Sequence, residues 1–191
     1  MKISLRRPLS RAFTLIELLV VISIIAVLAS ISVPVTSTVM NRARKATCQN
    51  DCMQLQNAIK GFYNEYYAYP VRGDSEGPYE TDGDLMDVLM SVDSAEADDL
   101  NRRKIPFWEP SKMAKSEKVA GYHPDTGRLN DPWGQMYEVY MDADDNESLT
   151  VPSIYGDKFG RTGRIKRPIF VHSSGIDKKF EAVKDNVSSW D

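Results

Sequence analysis

Residues 11–22 read RAFTLIELLVVI and place one carboxylate, Glu17, near the start of an apolar run that extends to about Val33. A charged side chain at membrane depth costs roughly 2.5–3.5 kcal/mol on insertion scales. With Phe13–Ile16 included, the run reaches about 20 residues, which is the length of a membrane-spanning helix. The segment therefore predicts a membrane helix over 13–34. The cost of placing the charged Glu17 in this helix has to be explained.

The segment before this helix is short and basic. Residues 1–12 carry four cations and no acid, and the positive-inside rule predicts that they stay cytoplasmic while the chain after Pro34 lies across the membrane. Without those cations the formal net charge falls from −3 to −7. An acidic outer domain argues against nucleic acid as a partner and suits divalent cations.

Three interpretations of the N-terminus compete. A secretory signal peptide would be cut after the apolar run, where 29–33 offers small residues, but a carboxylate inside that run is unusual. A plain signal anchor gives no reason for Glu17. Cleavage between Ala12 and Phe13 would leave the helix on the mature protein, and this interpretation is favoured.

A second helical pattern follows Pro34, which is expected to bend the helix. Apolar residues recur at spacings of three and four, which indicates an amphipathic continuation over 35–70: Cys48, Cys52, Leu55, Ile59, Phe62 and Tyr66. A Cys-x3-Cys pair could be a metal half-site or a redox pair. Since both cysteines lie on the apolar stripe, we interpret them as core residues.

Residues 71–191 predict one globular domain. The pattern favours a helix around 85–90 capped by Asp82 or Asp84, and strands at Met136–Met141, Thr150–Ile154 and Pro168–His172. Residues 91–130 read as irregular, with Phe107 and Trp108 as anchors. The predicted fold class is α+β, with a long N-terminal α-helix, membrane-inserted in its first half, packed on a small antiparallel sheet.

The basic leader, Phe13, Glu17 and Pro34 together resemble the N-terminus of type IV pilins and of the pseudopilins of type II secretion. The resemblance implies that a prepilin peptidase cuts between Ala12 and Phe13 and that Phe13 is then N-methylated. It also implies that Glu17 is an assembly determinant, paired with the Phe13 amine of a neighbouring subunit. Ala12 departs from the Gly that is usual before the cut.

Two further segments are similar to the major pseudopilin of type II secretion. The first is DPWGQMY at 131–137, and the second is a C-terminal loop over 173–191 that ends in DNVSSW at 185–190. Residues 73–130 have no clear counterpart and are expected to form an enlarged, variable loop. The pilin-like arrangement of the fold is also what this resemblance implies.

In the major pseudopilins the C-terminal loop binds Ca²⁺, which takes six to eight oxygen ligands. The resemblance assigns Asp177 and Asp185 as carboxylate ligands, with Ser173 and Ser188 completing the shell. Lys178 stands where Gly is usual, and Asn186 stands where a second Asp is usual. Calcium binding and a purely structural loop both remain open.

Another acidic segment, residues 142–147, matches the first, third and fifth positions of an EF-hand loop. Its sixth position is Glu147 instead of Gly, and its twelfth is Ser153 instead of Glu. An acidic, solvated hairpin between two strands is the favoured interpretation. His123 and His172 are expected to be surface or structural residues, because no catalytic motif accompanies them.

The expected function is therefore non-enzymatic: a structural subunit of a type II secretion pseudopilus. The alternatives are a type IV pilus subunit or a membrane-anchored binding protein that does not polymerise. The resemblance implies as partners further copies, other pilin-like subunits, a prepilin peptidase, an inner-membrane assembly platform and, before assembly, lipid. The expected location is the inner membrane, single-pass with a periplasmic C-terminal domain, and then a periplasmic fibre.

Overall fold

The computed structural model describes residues 13–116, 118–144, 146–150, 164–180 and 185–190; for residues 31–36 only the backbone is described. Its contacts divide the chain into two units, Met1–Arg42 and Ala43–Asp191. Helix α1 spans Leu15–Tyr66 and contributes to both. The bend predicted at Pro34 remains a prediction.

The first unit presents apolar side chains on the surface of α1. From Leu15 to Leu28 the large apolar side chains are 45–82% exposed. Within the described part of the chain, no helix combines the length and the apolar character that a membrane span requires. Insertion of residues 13–34 into a membrane remains a prediction.

In the second unit, α1 supplies the apolar stripe that its spacing predicted. Cys48, Cys52, Leu55 and Ile59 are 0% exposed and Phe62 is 1% exposed. They form one core with the sheet and with the buried side chains Leu85, Met86, Val88 and Leu89, and both cysteines are free thiols inside it. The stripe and the core position of the cysteines are confirmed.

Two short helices follow, α2 at Gly83–Met90 and α3 at Ala95–Leu100. The Asp82 carboxylate accepts a hydrogen bond from the Leu85 amide and caps α2, as predicted, and Ser94 caps α3 through the Ala97 amide. Phe107 packs on Phe62 with ring centroids 5.3 Å apart, and Trp108 is buried. The two aromatic anchors are therefore confirmed.

Within the described residues, eight short strands form three antiparallel sheets. The strands are β1 Tyr79–Glu80, β2 Gly121–His123, β3 Arg128–Asn130, β4 Glu138–Met141, β5 Leu149–Thr150, β6 Arg164–Ile165, β7 Ile169–Ser173 and β8 Val187–Ser188. The largest sheet has the order β1–β4–β7–β8 and includes the registers Glu138↔His172 and Ser173↔Val187. The other two are the pairs β2–β3 and β5–β6.

The prediction that residues 91–130 are irregular is wrong, because α3, β2 and β3 lie there. The β2–β3 turn closes through Gly127, whose amide donates to the His123 carbonyl at 2.8 Å. Gly127 has φ +68°, which glycine adopts without strain. β4 and β7 match two predicted strands, and β5 covers Thr150 of the third, whose remainder lies outside the described residues.

Candidate functional site

The N-terminal turn of α1 is held by a reciprocal pair of hydrogen bonds. The Thr14 amide and hydroxyl donate to Glu17 Oε2 at 2.8 and 2.6 Å, and the Glu17 amide donates to Thr14 Oγ1 at 3.3 Å. This is a capping box, in which Thr precedes the helix and Glu is its third residue. Glu17 therefore has a local role within its own subunit.

The capping box leaves part of the Glu17 carboxylate available. Both Thr14 donors reach Oε2, and no described residue donates a hydrogen bond to Oε1. Glu17 and Phe13 are both exposed, Phe13 at 75%. A second cation or donor can therefore reach Oε1 without breaking the cap. Ala12 lies outside the described residues.

Sequence reasoning treated Glu17 as an anomaly and missed its capping partner. The signal was present, because TLIE at 14–17 has the Thr-x-x-Glu spacing that marks a helix start.

A buried carboxylate, Asp131, joins the DPWG turn to the C-terminal loop. Its Oδ1 accepts from the Trp133 and Gln135 amides, both at 2.9 Å, and its Oδ2 accepts from Ser173 Oγ at 2.5 Å. Asp131 is 0% exposed, and burial raises the pKa of its carboxyl. Gly134 completes the turn at φ +82°.

A second carboxylate links this region to α1. The hydroxyl of Tyr137, which is fully buried, donates to Asp51 Oδ2 at 3.0 Å. Burial raises the pKa of Asp51, and the nearby Asp131 contributes in the same direction. The DPWG segment is therefore a packing node between α1 and the C-terminal loop, in addition to being a turn.

The four residues assigned to a calcium site have two different environments. Asp185 Oδ2 accepts from the Asp177 amide at 2.9 Å, so these two residues lie together. Ser173 and Ser188 are 0% exposed, and both already form hydrogen bonds inside the fold. Among the described residues, no three His, Cys, Asp or Glu side chains are grouped so that they could hold a metal ion.

At position 178 the loop backbone has the left-handed conformation that glycine favours, although the residue is lysine. Lys178 has φ +60°, although a side chain makes this region unfavourable by roughly 1–2 kcal/mol. Gly175 has φ +73°, and a Cβ there would lie 2.4 Å from the Asp185 carbonyl oxygen. The close approach of the two loop segments therefore requires glycine at 175. Two carboxylates and this tight loop fit a Ca²⁺ site in part.

The acidic segment at 142–147 differs from its prediction. It does not form a hairpin, because β4 before it pairs with β7, and β5 after it pairs with β6. Asp142 is buried, and its Oδ1 accepts from the Asn146 amide at 3.1 Å. Burial and the adjacent Asp144 raise the pKa of Asp142. Glu147 has φ +62° at the position of the EF-hand glycine; Ser153 lies outside the described residues.

Both histidines are buried structural residues. His123 Nε2 lies 3.1 Å from Asn130 Nδ2. His172 Nε2 lies 3.0 Å from Glu138 Oε2 across the β4–β7 pair, and its ring stacks on Phe170. Their positions agree with the expectation that they are structural.

The fold and the N-terminal turn define a pilin-like α+β protein. Residues 7–33 match the family described as the prokaryotic N-terminal methylation motif. The chain is also 35% identical over 69 residues to the type IV major pilin protein PilA of Myxococcus xanthus. That match covers 36% of this chain and 31% of the relative, so the chain spans less than a third of the relative's length.

No solved structure matches the chain. The motif and the pilin match support the interpretation of this chain as type IV pilin-like.

Proposed function

We propose that this protein is a structural subunit of a type II secretion pseudopilus, which polymerises through its N-terminal helix and so drives protein secretion across the outer membrane. The observation that carries the proposal is the start of α1. There Glu17 keeps one carboxylate oxygen open, next to Phe13, on a helix with an exposed apolar surface. The role is mechanical and not enzymatic.

Assembly would use two groups of the N-terminal turn of α1, the Phe13 amine and the Glu17 carboxylate. Cleavage between Ala12 and Phe13 frees the Phe13 amine, a cation able to pair with a carboxylate. A buried charge is tolerated when it is paired and hydrogen-bonded. Glu17 would hold the Thr14 donors through Oε2 and the Phe13 amine of a neighbouring subunit through Oε1, while the apolar side chains of 15–28 pack in lipid or against other subunits.

The secretion pseudopilus is favoured over a surface pilus by two segments outside the N-terminus. The DPWG turn and the C-terminal loop resemble the major pseudopilin, and Asp131 and Ser173 tie them together. A type IV pilus subunit is the second candidate, because the matched relative is a major pilin. Deleting the gene separates the two: secreted proteins accumulate in the periplasm in the first case, and surface fibres disappear in the second.

The proposed partners follow from this role. They are other pilin-like subunits, an inner-membrane assembly platform and, before assembly, membrane lipid. The subunit would sit in the inner membrane through residues 13–34, with its second unit in the periplasm, and would then enter a periplasmic fibre. A membrane-anchored binding protein that never polymerises would need neither Phe13 methylation nor the open Glu17 oxygen.

The intact mass of the mature protein tests the processing step. Expressed with a competent prepilin peptidase, the chain is expected to begin at Phe13 and to carry one added methyl group. Fragmentation of the N-terminal peptide in the mass spectrometer should place the methyl group on the Phe13 amine. A mature chain that retains residues 1–12 in the presence of the peptidase would contradict the proposal.

Calcium binding at Asp177 and Asp185 is a further part of the proposal, supported by their adjacency and by the tight loop around them. Thermal unfolding of the full chain in detergent is expected to shift upward with Ca²⁺ relative to chelator, because a ligand of the folded state stabilises it. Lys178→Gly removes a cation and backbone strain. We expect it to add about 1 kcal/mol of stability and to enlarge the calcium shift.

The matched control is Lys179→Gly, which removes a neighbouring cation at a position without positive φ. It should not raise the metal-free stability. An identical unfolding temperature in Ca²⁺ and in chelator, for wild type and Lys178→Gly alike, would leave the loop purely structural.

A further inference from the structure

Three cations of the second unit line one groove. The side chains of Lys60, Lys166 and Arg167 meet around a cavity of about 570 Å³ that also contacts Tyr63 and Tyr69. All three cations are exposed. We call Lys60, Lys166 and Arg167 the cationic surface.

Some other cations of this unit pair with carboxylates. Arg72 pairs with Glu96 and Asp99, and Lys104 pairs with Asp93 and Asp98. Within the described residues, no carboxylate lies within ion-pair distance of any member of the cationic surface; Arg167 instead lies 4.9 Å from the centre of the Trp190 ring.

The carboxylates in the same groove do not neutralise it. Asp142 and Glu147 line the cavity, but Asp142 is buried and accepts from the Asn146 amide. Glu147 is exposed and forms no ion pair with a described residue. The groove therefore presents three exposed cations and one exposed carboxylate, an excess of positive charge, on a chain that is acidic overall.

A second groove of the same unit has the opposite character. Its cavity of about 240 Å³ is lined by Glu80, Asp82, Asp84 and Glu96. Asp82 caps α2 and Glu96 pairs with Arg72. Glu80 and Asp84 are exposed, and neither has an ion-pair partner among the described residues. We call Glu80 and Asp84 the acidic surface.

We propose that in the fibre the cationic surface of one copy contacts the acidic surface of the next copy. This inference rests on the proposed function, because it assumes a polymer. Open fibres need heterologous contacts, in which two different patches of one subunit meet, and the two grooves share no residue. Complementary charges set the register of such a contact and reject wrong alignments.

Charge reversal tests the contact. Lys60→Glu/Lys166→Glu leaves the Arg167–Trp190 contact intact and breaks no ion pair with a described residue, so the unfolding temperature is expected to stay unchanged. Fibre yield should fall at least tenfold. Adding Glu80→Lys/Asp84→Lys to the same chain should restore the yield to within twofold of wild type, because the opposite charges then face each other again.

The matched control is Lys115→Glu/Lys118→Glu, which reverses two exposed cations that line neither groove and should assemble normally. A folded Lys60→Glu/Lys166→Glu variant with wild-type fibre yield would overturn the inference. So would a loss that the four-residue charge swap does not restore while that variant remains folded.

Cross-linking gives a second measurement that does not depend on yield. Lys166→Cys/Asp84→Cys should form a ladder of covalent oligomers with a short thiol cross-linker, and the native Cys48 and Cys52 are 0% exposed. Either single substitution should give no ladder, and a dimer from one of them alone would indicate a different contact. Since exposed charges are screened by salt, the ladder should weaken as salt is raised.

The polymer itself is tested separately. If Glu17→Gln assembles like wild type, the proposed assembly role fails. If Glu17→Gln blocks assembly and charge reversal in the cationic surface does not, only the contact proposed here fails.

Discussion

Replacing Glu17 with Gln is expected to reduce fibre assembly by at least tenfold and to leave the N-terminal turn of α1 intact. A Gln at this position can complete a capping box as Glu does, so the Thr14 hydrogen bonds persist. What disappears is the negative charge that would pair with the Phe13 amine of the next subunit. The measurement is the fraction of chain recovered in fibres, together with the helix content of the subunit.

Glu17→Ala supplies the comparison, because it removes the charge and the cap together. We expect the same loss of assembly, with additional fraying at the start of α1. A third variant, Thr14→Ala, weakens the cap and keeps the charge, and it should assemble. If Gln at 17 assembles normally and Ala does not, then the carboxylate acts through the cap and not through pairing between subunits.

Replacing Asp131 with Ala is expected to lower the free energy of unfolding by about 3–4 kcal/mol. The change leaves the Trp133 amide, the Gln135 amide and the Ser173 hydroxyl without their acceptor in a buried site, and each lost charge-assisted bond costs more than an ordinary one. Chemical unfolding of the full chain in detergent measures the loss. It should also loosen the C-terminal loop, since the Ser173 hydroxyl that donates to Asp131 also accepts from the Gly175 amide in that loop.

Asp131→Asn is the matched control, because its amide oxygen can keep the two backbone donors and its NH₂ can donate to Ser173 Oγ. It should cost less than about 1 kcal/mol at neutral pH, since it removes a buried charge. If Asp131→Asn lowers the free energy of unfolding as much as Asp131→Ala does, then the negative charge, and not the set of hydrogen bonds, stabilises this region.

The free energy of unfolding of the wild type, compared with that of Asp131→Asn, is expected to depend on pH. Burial raises the pKa of Asp131 above its unfolded value, so its contribution to stability is complete below the unfolded pKa and is lost as pH rises through the folded pKa. Relative to Asp131→Asn, the wild type should therefore gain stability as pH falls from neutral. The opposite slope in the difference would show that the carboxyl is stabilised in its charged form.

Local pattern was enough to predict the elements that follow a single period or a single motif. The stripe from Cys48 to Phe62 has helical spacing, and one helix face must be buried, so its burial follows directly. Asp82 as a cap and Gly134 in a turn depend only on their immediate neighbours. The capping box at 14–17 belongs to the same group, because its Thr-x-x-Glu spacing is local.

Contacts between distant segments could not be predicted in this way. Asp131 meets Ser173 across 42 positions, and Tyr137 meets Asp51 across 86. The short strands β2 and β3 have no long alternation, because three residues carry little periodic signal and their pairing depends on the turn at Gly127. Lys178 and Glu147 have positive φ because of the way their loops close. Neither residue type favours positive φ, so the sequence gives no sign of it.

The order of residues was enough to predict the N-terminal methylation motif and the buried face of α1. These rest on charge, spacing and apolar runs within a few turns of one helix. What only the folded unit decided is the buried node at Asp131, the adjacency of Asp177 and Asp185, and the separation of the cationic and acidic surfaces. The reason is physical: burial, desolvation and ion pairing depend on which distant side chains fill the space around a group.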